Sequence, residues 1–240
     1  MISLLNKDIF GNVLILKKWL IRILGFLSYN RFAQIDIEGA EIIPLLPKKN
    51  VLFVANHQTY FADATAMIHI FNASLNGNIN SIKNKSYLWH PKLNIYFIAA
   101  KETMNSGLIP KILSYTGSVS VERTWREKGK QIKRNINTLD VQNINRALQE
   151  GWLITFPQGT TKPGSPVRKG TAYMIKASQP IVVPVLIEGF DKAFDKTGLK
   201  IKQKGVKKKI KIKDVINIDY TSDSVEDIVR KISIAIEQGY

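Results

Sequence analysis

The chain has 240 residues, 45% of them apolar and 22% charged. That supports a sizeable core in one α/β domain, or in one domain with a small appendage, and excludes wholesale disorder. There is no cysteine, and the three histidines stand at 57, 69 and 90. Disulfide frameworks, thiol nucleophiles and thiolate metal sites are therefore excluded. Thirty-five Lys+Arg against nineteen Asp+Glu give a formal charge of +16. Such a surface attracts nucleic acid, anionic lipid or acidic small substrates, and composition alone does not choose among them.

Residues 1–30 are neither a clean secretory signal nor an unbroken apolar span, because Lys17, Lys18 and Arg22 interrupt them. Val13, Leu16, Leu20, Ile23, Leu24 and Leu27 recur at three-to-four spacing, with Trp19 among the cations. The pattern fits an amphipathic helix, lying on a membrane interface or docked on the protein's own core. The tryptophan among cations favours the interface, on the cytoplasmic face of the cell membrane as a peripheral or monotopic attachment. The absence of cysteine is compatible with that reducing compartment. Residues 31–240 form the globular domain.

Gln34–Glu38 reads as a short alternating strand, and Val51–Ala55, Ile95–Ala100, Ser118–Val121, Trp152–Phe156 and Ile181–Leu186 as buried strands. Helices are expected over Ala62–Phe71, Leu139–Glu150 and Ser224–Gln238, the last with Ser224 and Asp227 as a capping pair. The fold class that follows is α/β: a mostly parallel central sheet flanked by helices, with an amphipathic N-terminal helix. Lys192–Lys213 holds ten lysines and one acid, Asp195. Its alternation at 209–213 marks a half-buried strand with a lysine face. Two readings stay open: an edge strand guarded by lysines, or a surface that adheres to anionic membrane.

Two stretches carry chemistry. In Asn56-His57-Gln58-Thr59-Tyr60-Phe61-Ala62-Asp63, His57 sits between a buried strand and a helix, at the strand end where open α/β sheets place their sites. Asp63 is the single carboxylate between Ala55 and Ala100. Paired with it, His57 would be a general base; unpaired, it would be structural. The second stretch, Phe156-Pro157-Gln158-Gly159-Thr160-Thr161-Lys162-Pro163-Gly164 followed by Arg168-Lys169-Gly170, also follows a buried strand. Its backbone N–H groups could face an anion with three cations close by, or it could be a plain glycine-rich turn. It lacks the Gly-Lys-Ser/Thr ending of a P-loop.

Together NHQTYFAD and FPQGTT…RKG resemble the Asn-His…Asp and Phe-Pro-Glu-Gly-Thr blocks of the glycerolipid acyltransferases, of the lysophosphatidic acid acyltransferase type. AKETMNSGLIPKILSYTGSVSVER and IVVPVLIEG resemble two weaker blocks in the right order, so the likeness spans residues 35–190. Three departures stand out. Five residues instead of four separate His57 from Asp63, Gln158 replaces the usual Glu, and Thr161 stands where Arg is common. Even the family's spacing of five steps turns about 500°, so the pair cannot share one face of a continuous helix. His57 must lie in the turn before the helix and Asp63 in its first turn, where an extra residue can be absorbed and the helix dipole favours the carboxylate.

The resemblance implies acyl transfer from an acyl thioester, acyl-CoA or acyl-carrier protein, to the hydroxyl of a lysophospholipid, foremost 1-acyl-glycerol-3-phosphate, in phospholipid biosynthesis. It implies His57 as catalytic base and Asp63 as its orienting partner, with Lys101, Arg123, Gln158, Gly159, Thr160, Lys162, Arg168 and Lys169 as substrate-binding candidates. No cofactor and no metal is expected. An ion pair of Arg123 with Glu122 is the structural alternative for that residue, and His69 and His90 read as structural or surface residues. A lipid-binding relative without catalysis, a hydrolase and a nucleic-acid-binding module are the competing readings. The last finds no motif and no aromatics interleaved with the lysines, so nucleic acid is not expected as a partner.

Overall fold

The computed structural model describes residues 6–122, 126–127, 130–131 and 138–239. Arg123 and the polar run 132–137 lie outside the described residues. Among those described, a seven-stranded sheet is built from β1 (Ile35–Glu38), β2 (Val51–Ala55), β3 (Ile95–Ala100), β4 (Ser118–Val121), β5 (Trp152–Thr155), β6 (Ile181–Glu188) and β7 (Lys208–Ile212). Its spatial order is β1-β7-β6-β2-β5-β3-β4. Five neighbouring strands, β6, β2, β5, β3 and β4, run parallel. β7 runs antiparallel to β6 and parallel to β1. The sheet is mostly parallel, as the alternation of apolar runs and helical patterns implies.

Period-two alternation sends each strand's side chains to two different cores. Val51, Phe53 and Ala55 join one cluster, and Leu52 and Val54 the other. The first cluster packs under α1 (Leu14–Phe32) and α2 (Ala62–Leu75). There Phe53 meets Phe71 and Trp152 at ring separations of 4.2 and 5.5 Å. The second lies under α5 (Thr138–Glu150), α6 (Lys169–Ser178) and α8 (Val225–Ala235). Short helices α3 (Lys101–Met104), α4 (Leu108–Ser114) and α7 (Phe190–Ala193) follow β3 and β6. The Ser224–Asp227 capping box is formed at α8, so two otherwise unpaired backbone donors are satisfied.

Three features depart from the sequence reading. β7 is not an edge strand: it lies between β1 and β6. Its lysines are held locally, Lys209 and Lys211 by Glu38 at 2.6 and 3.8 Å and Lys213 by Glu237 at 2.8 Å. α6 has no counterpart in the sequence reading, because its buried residues are only Thr171, Ala172 and Ile175, too few apolar positions for a helical period to show. In α1 the outward stripe is Ile15, Leu16, Trp19, Ile23, Phe26 and Leu27, while Leu20 is half-buried. Lys17 points inward, is 2% exposed, and pairs with Asp8 at 2.8 Å while lying over the Tyr96 ring. It is thus a core cation, not a headgroup-facing one. α1 also runs past residue 30, and Tyr29 and Phe32 are core. No described helix is long and apolar enough to cross a membrane.

Candidate active site

β2, β3, β4 and β5 end on one edge of the sheet, and the loops that leave them converge there. Beyond β2 the chain is pinned before it turns. The Asn56 amide bonds both the N–H and the C=O of Ile187, extending the ladder to β6. Gln58 Oε1 accepts from Phe190 N. Tyr60 and Phe61 N–H groups donate to Lys196 and Thr197 carbonyls. At Gly198, where φ is +77°, a Cβ would sit 2.5 Å from Ala62 N and 2.9 Å from Thr59 Oγ1. A side chain there would push this turn away, which is why glycine is required.

In that turn His57 Nδ1 lies 2.9 Å from Asp63 Oδ2. Asp63 is in the first turn of α2 and fully buried. The extra spacer residue is absorbed by the carboxylate itself. Oδ2 also accepts from Gln58 N at 2.6 Å and Thr59 N at 3.0 Å, and Oδ1 from Thr59 Oγ1 at 2.7 Å. A carboxylate surrounded by donors is an acceptor, so Nδ1 carries the ring proton and Nε2 is the basic nitrogen. The ring is held flat against Phe156, 4.0 Å between centroids and 18° between planes. Both the rotamer and the tautomer of His57 are therefore fixed.

His57 opens onto a cavity of ≈ 420 Å³. Its wall is apolar along Ile98, Val121, Val141, Ile144 and Met174, between the sheet and helices α5 and α6. Its polar lining includes Thr155, Thr160 and Arg168 together with the acids Glu122 and Asp140. Cavities of this size and lining take a small or chain-like ligand.

Of the substrate-binding candidates, Gly159, Thr160 and Arg168 line this cavity, and Arg168 Nε donates to Gln158 O at 2.8 Å. Lys101, Lys162 and Lys169 do not line it. Lys101 is largely exposed and lies 3.5 Å from Glu122, and Lys169 pairs with Glu226 of α8 at 2.5 Å. Arg123 lies outside the described residues, although Glu122 before it lines the cavity. Gln158 sits beneath the site, 1% exposed. Its Oε1 accepts from His57 N at 3.0 Å, and its Nε2 donates to Gln238 Oε1 at 2.8 Å and Ser165 O at 3.3 Å. An amide serves all three partners, whereas a carboxylate would serve only His57. Asp140, which accepts from Glu122 N at 2.8 Å and lines the cavity, and Thr59 were not singled out from sequence. Thr59 lay inside the motif; nothing local marked Asp140.

His69 is fully buried, with Ser28 Oγ 2.8 Å from Nε2 and Tyr87 Oη 2.7 Å from Nδ1. Burial pushes its pKa down to about 4. It is a neutral structural residue that ties α1 to α2, and His90 is exposed. Among the described residues no group of three His, Asp or Glu side chains is placed to hold a metal ion.

The family model for acyltransferases matches residues 34–188, well over half of the chain. The chain belongs to the acyltransferase family. Both constellations of this acyltransferase fall inside the matched region. Among solved structures it is similar to the 1-acyl-sn-glycerophosphate (LPA) acyltransferase PlsC of Thermotoga maritima, at 18% identity and a TM-score of 0.55. That likeness covers 92% of this chain and 76% of the other, and shows the same fold. No curated protein matched the acyltransferase in a sequence search.

Proposed function

We propose that this acyltransferase moves a fatty acyl group from acyl-CoA or acyl-carrier protein to the hydroxyl of a lysophospholipid, foremost 1-acyl-glycerol-3-phosphate, in phospholipid biosynthesis. One observation carries the reading: an oriented His57–Asp63 pair whose basic nitrogen meets an apolar-walled cavity. In this mechanism His57 Nε2 removes the acceptor hydroxyl proton as the oxygen attacks the thioester carbonyl. The C–S bond breaks, and the proton passes from the imidazolium to the thiolate. Asp63 stabilises the imidazolium and does not leave its hydrogen bonds. Ile98, Ile144 and Met174 supply a wall for the acyl chain, and Arg168 with Thr160 supplies cationic and polar contacts for a phosphate. The structural relative is a 1-acyl-sn-glycerophosphate acyltransferase, and that acceptor pairs an acyl chain with a phosphate.

The exposed stripe of α1 supports peripheral attachment to a membrane surface, which this reading places on the cytoplasmic face. The direct test incubates purified protein with acyl-CoA and 1-acyl-glycerol-3-phosphate and follows phosphatidate by mass spectrometry. Product formation that His57→Ala reduces at least about 10²-fold is expected. Thiol release at the same rate without any acceptor would make the protein a thioesterase and refute the proposal.

A further inference from the structure

Three segments meet at a small cavity of ≈ 60 Å³ away from the catalytic pair: Ile21 and Leu24 of α1, Leu88 of the turn 85–89, and Leu113 of α4. All three segments flank that cavity, and each also turns apolar side chains outward to the surface. On α1 the outer side is the apolar stripe ending in Phe26 and Leu27. Trp89, 49% exposed, touches Phe26 edge-on at 5.4 Å and lies under the Arg22 guanidinium, which also covers Trp19. α4 has no buried residue at all, and Leu108 and Ile109 are 75% and 53% exposed. Leu113 of this seven-residue helix packs part-buried against the core, but Leu108 and Ile109 gain nothing from water by being displayed.

The charge of the patch identifies what covers it. Segments 14–32, 85–89 and 108–114 contain no Asp or Glu; apart from the buried Lys17 they carry Lys18, Arg22, Arg31, Lys85 and Lys111. Apolar residues and tryptophan ringed by cations alone match an anionic bilayer surface. α4 is also placed for function. It follows α3, whose Thr103 and Met104 line the catalytic cavity.

We propose that Leu108 and Ile109 of α4, with Trp89, form a second membrane-contact element beside α1, which seats the mouth of the catalytic cavity on an anionic bilayer. α1 alone would tether the protein and leave it free to rotate about one helix. A second contact beside α3 fixes the cavity's orientation, so that a lipid substrate enters from the bilayer without crossing water. This rests on the reading of the protein as a lipid acyltransferase, but its binding arm needs no activity.

The test is sedimentation of full-length protein with vesicles of phosphatidylcholine and phosphatidylglycerol, and with phosphatidylcholine alone. Leu108→Ser/Ile109→Ser is expected to weaken binding to the anionic vesicles at least about tenfold, the lower bound for partial insertion of two aliphatic side chains. Ile234→Ser, on the distant exposed face of α8, is expected to leave binding unchanged. As a second readout, Ile109→Cys gives the chain its single cysteine. A polarity-sensitive fluorophore there should shift to shorter wavelength on anionic vesicles. If the α4 variant binds as tightly as the parent and the fluorophore stays in water, the proposal is overturned. If the parent instead forms a dimer in solution that the α4 variant makes monomeric, and ignores vesicles, the patch is a contact between copies and the proposal is also overturned. Binding lost in the variant, with no acyl transfer by the parent to any lysolipid, would sustain the membrane contact and refute only the proposed activity.

Discussion

Asp63→Asn separates charge from geometry at the catalytic pair. Asn can keep an oxygen at the Oδ2 position, where His57 Nδ1, Gln58 N and Thr59 N all donate. Its NH2 then faces Thr59 Oγ1, and that hydroxyl can rotate to accept. The shape and hydrogen-bond count survive, and the negative charge beside the imidazolium is lost. Unit charges about 4 Å apart interact by about 4 kcal/mol at an effective dielectric of about 20. The His57 side chain is 13% exposed on a water-accessible cavity, so roughly half of that, about 2–3 kcal/mol, is a reasonable loss in the transition state. At about 1.36 kcal/mol per decade, kcat falls about 10²-fold. Asp63→Ala should lose as much rate and also stability, on the order of 3–5 kcal/mol, because four donors lose their acceptor. The assay follows CoA thiol release with a thiol reagent, to which a cysteine-free chain contributes no background. Urea melts report stability in parallel. An Asp63→Asn protein with parental kcat, or one as destabilised as Asp63→Ala, would refute this account of the pair.

Gln158→Glu should lower the urea midpoint by about 1–3 kcal/mol of stability, since a carboxylate faces the Ser165 and Gln238 oxygens. It should reduce kcat without raising KM for the acceptor, because Gln158 does not line the cavity. Lys17→Met leaves the Asp8 carboxylate buried without its cation and should cost about 3 kcal/mol, part of which Asp8→Asn added to it restores; equal urea midpoints for the single and double variants would contradict this. His69 stays neutral in the fold because burial lowers its pKa to about 4. The unfolded chain takes up that proton below about 6.5, so stability is full above that pH and falls as pH drops toward 4, by on the order of 2–3 kcal/mol. Stability curves of His69→Gln and parent protein should therefore diverge in slope between those two pH values.

The central parallel strands β2, β3, β5 and β6 were legible because each is a largely continuous apolar run, as burial on both faces demands, whereas β4 (SVSV) lies at the sheet edge and is only partly buried. The catalytic pair was legible for a related reason. His57 and Asp63 are six residues apart, and a strand end followed by a helix start leaves few ways to place them. What lies far apart in the chain had no such local signature. Gln158 reads as a loop residue near an anion, and only the packing of Gln238, eighty residues on, shows it as a buried strut under His57. The lysines at 209 and 211 suggest an edge strand. β1, which covers that edge, is set by a pairing of Ile35 with Lys208, 173 positions apart in sequence, with Glu38 supplying the counter-charge. Lys17 sits at a position that periodicity assigns to the polar side of α1, yet Asp8 and Tyr96 draw it inside. Periodicity and motif spacing report a residue's burial and its near neighbours. The partners that satisfy a buried charge or amide, and the cavity between sheet and helices, are properties of the packed whole, so only the tertiary structure decides them.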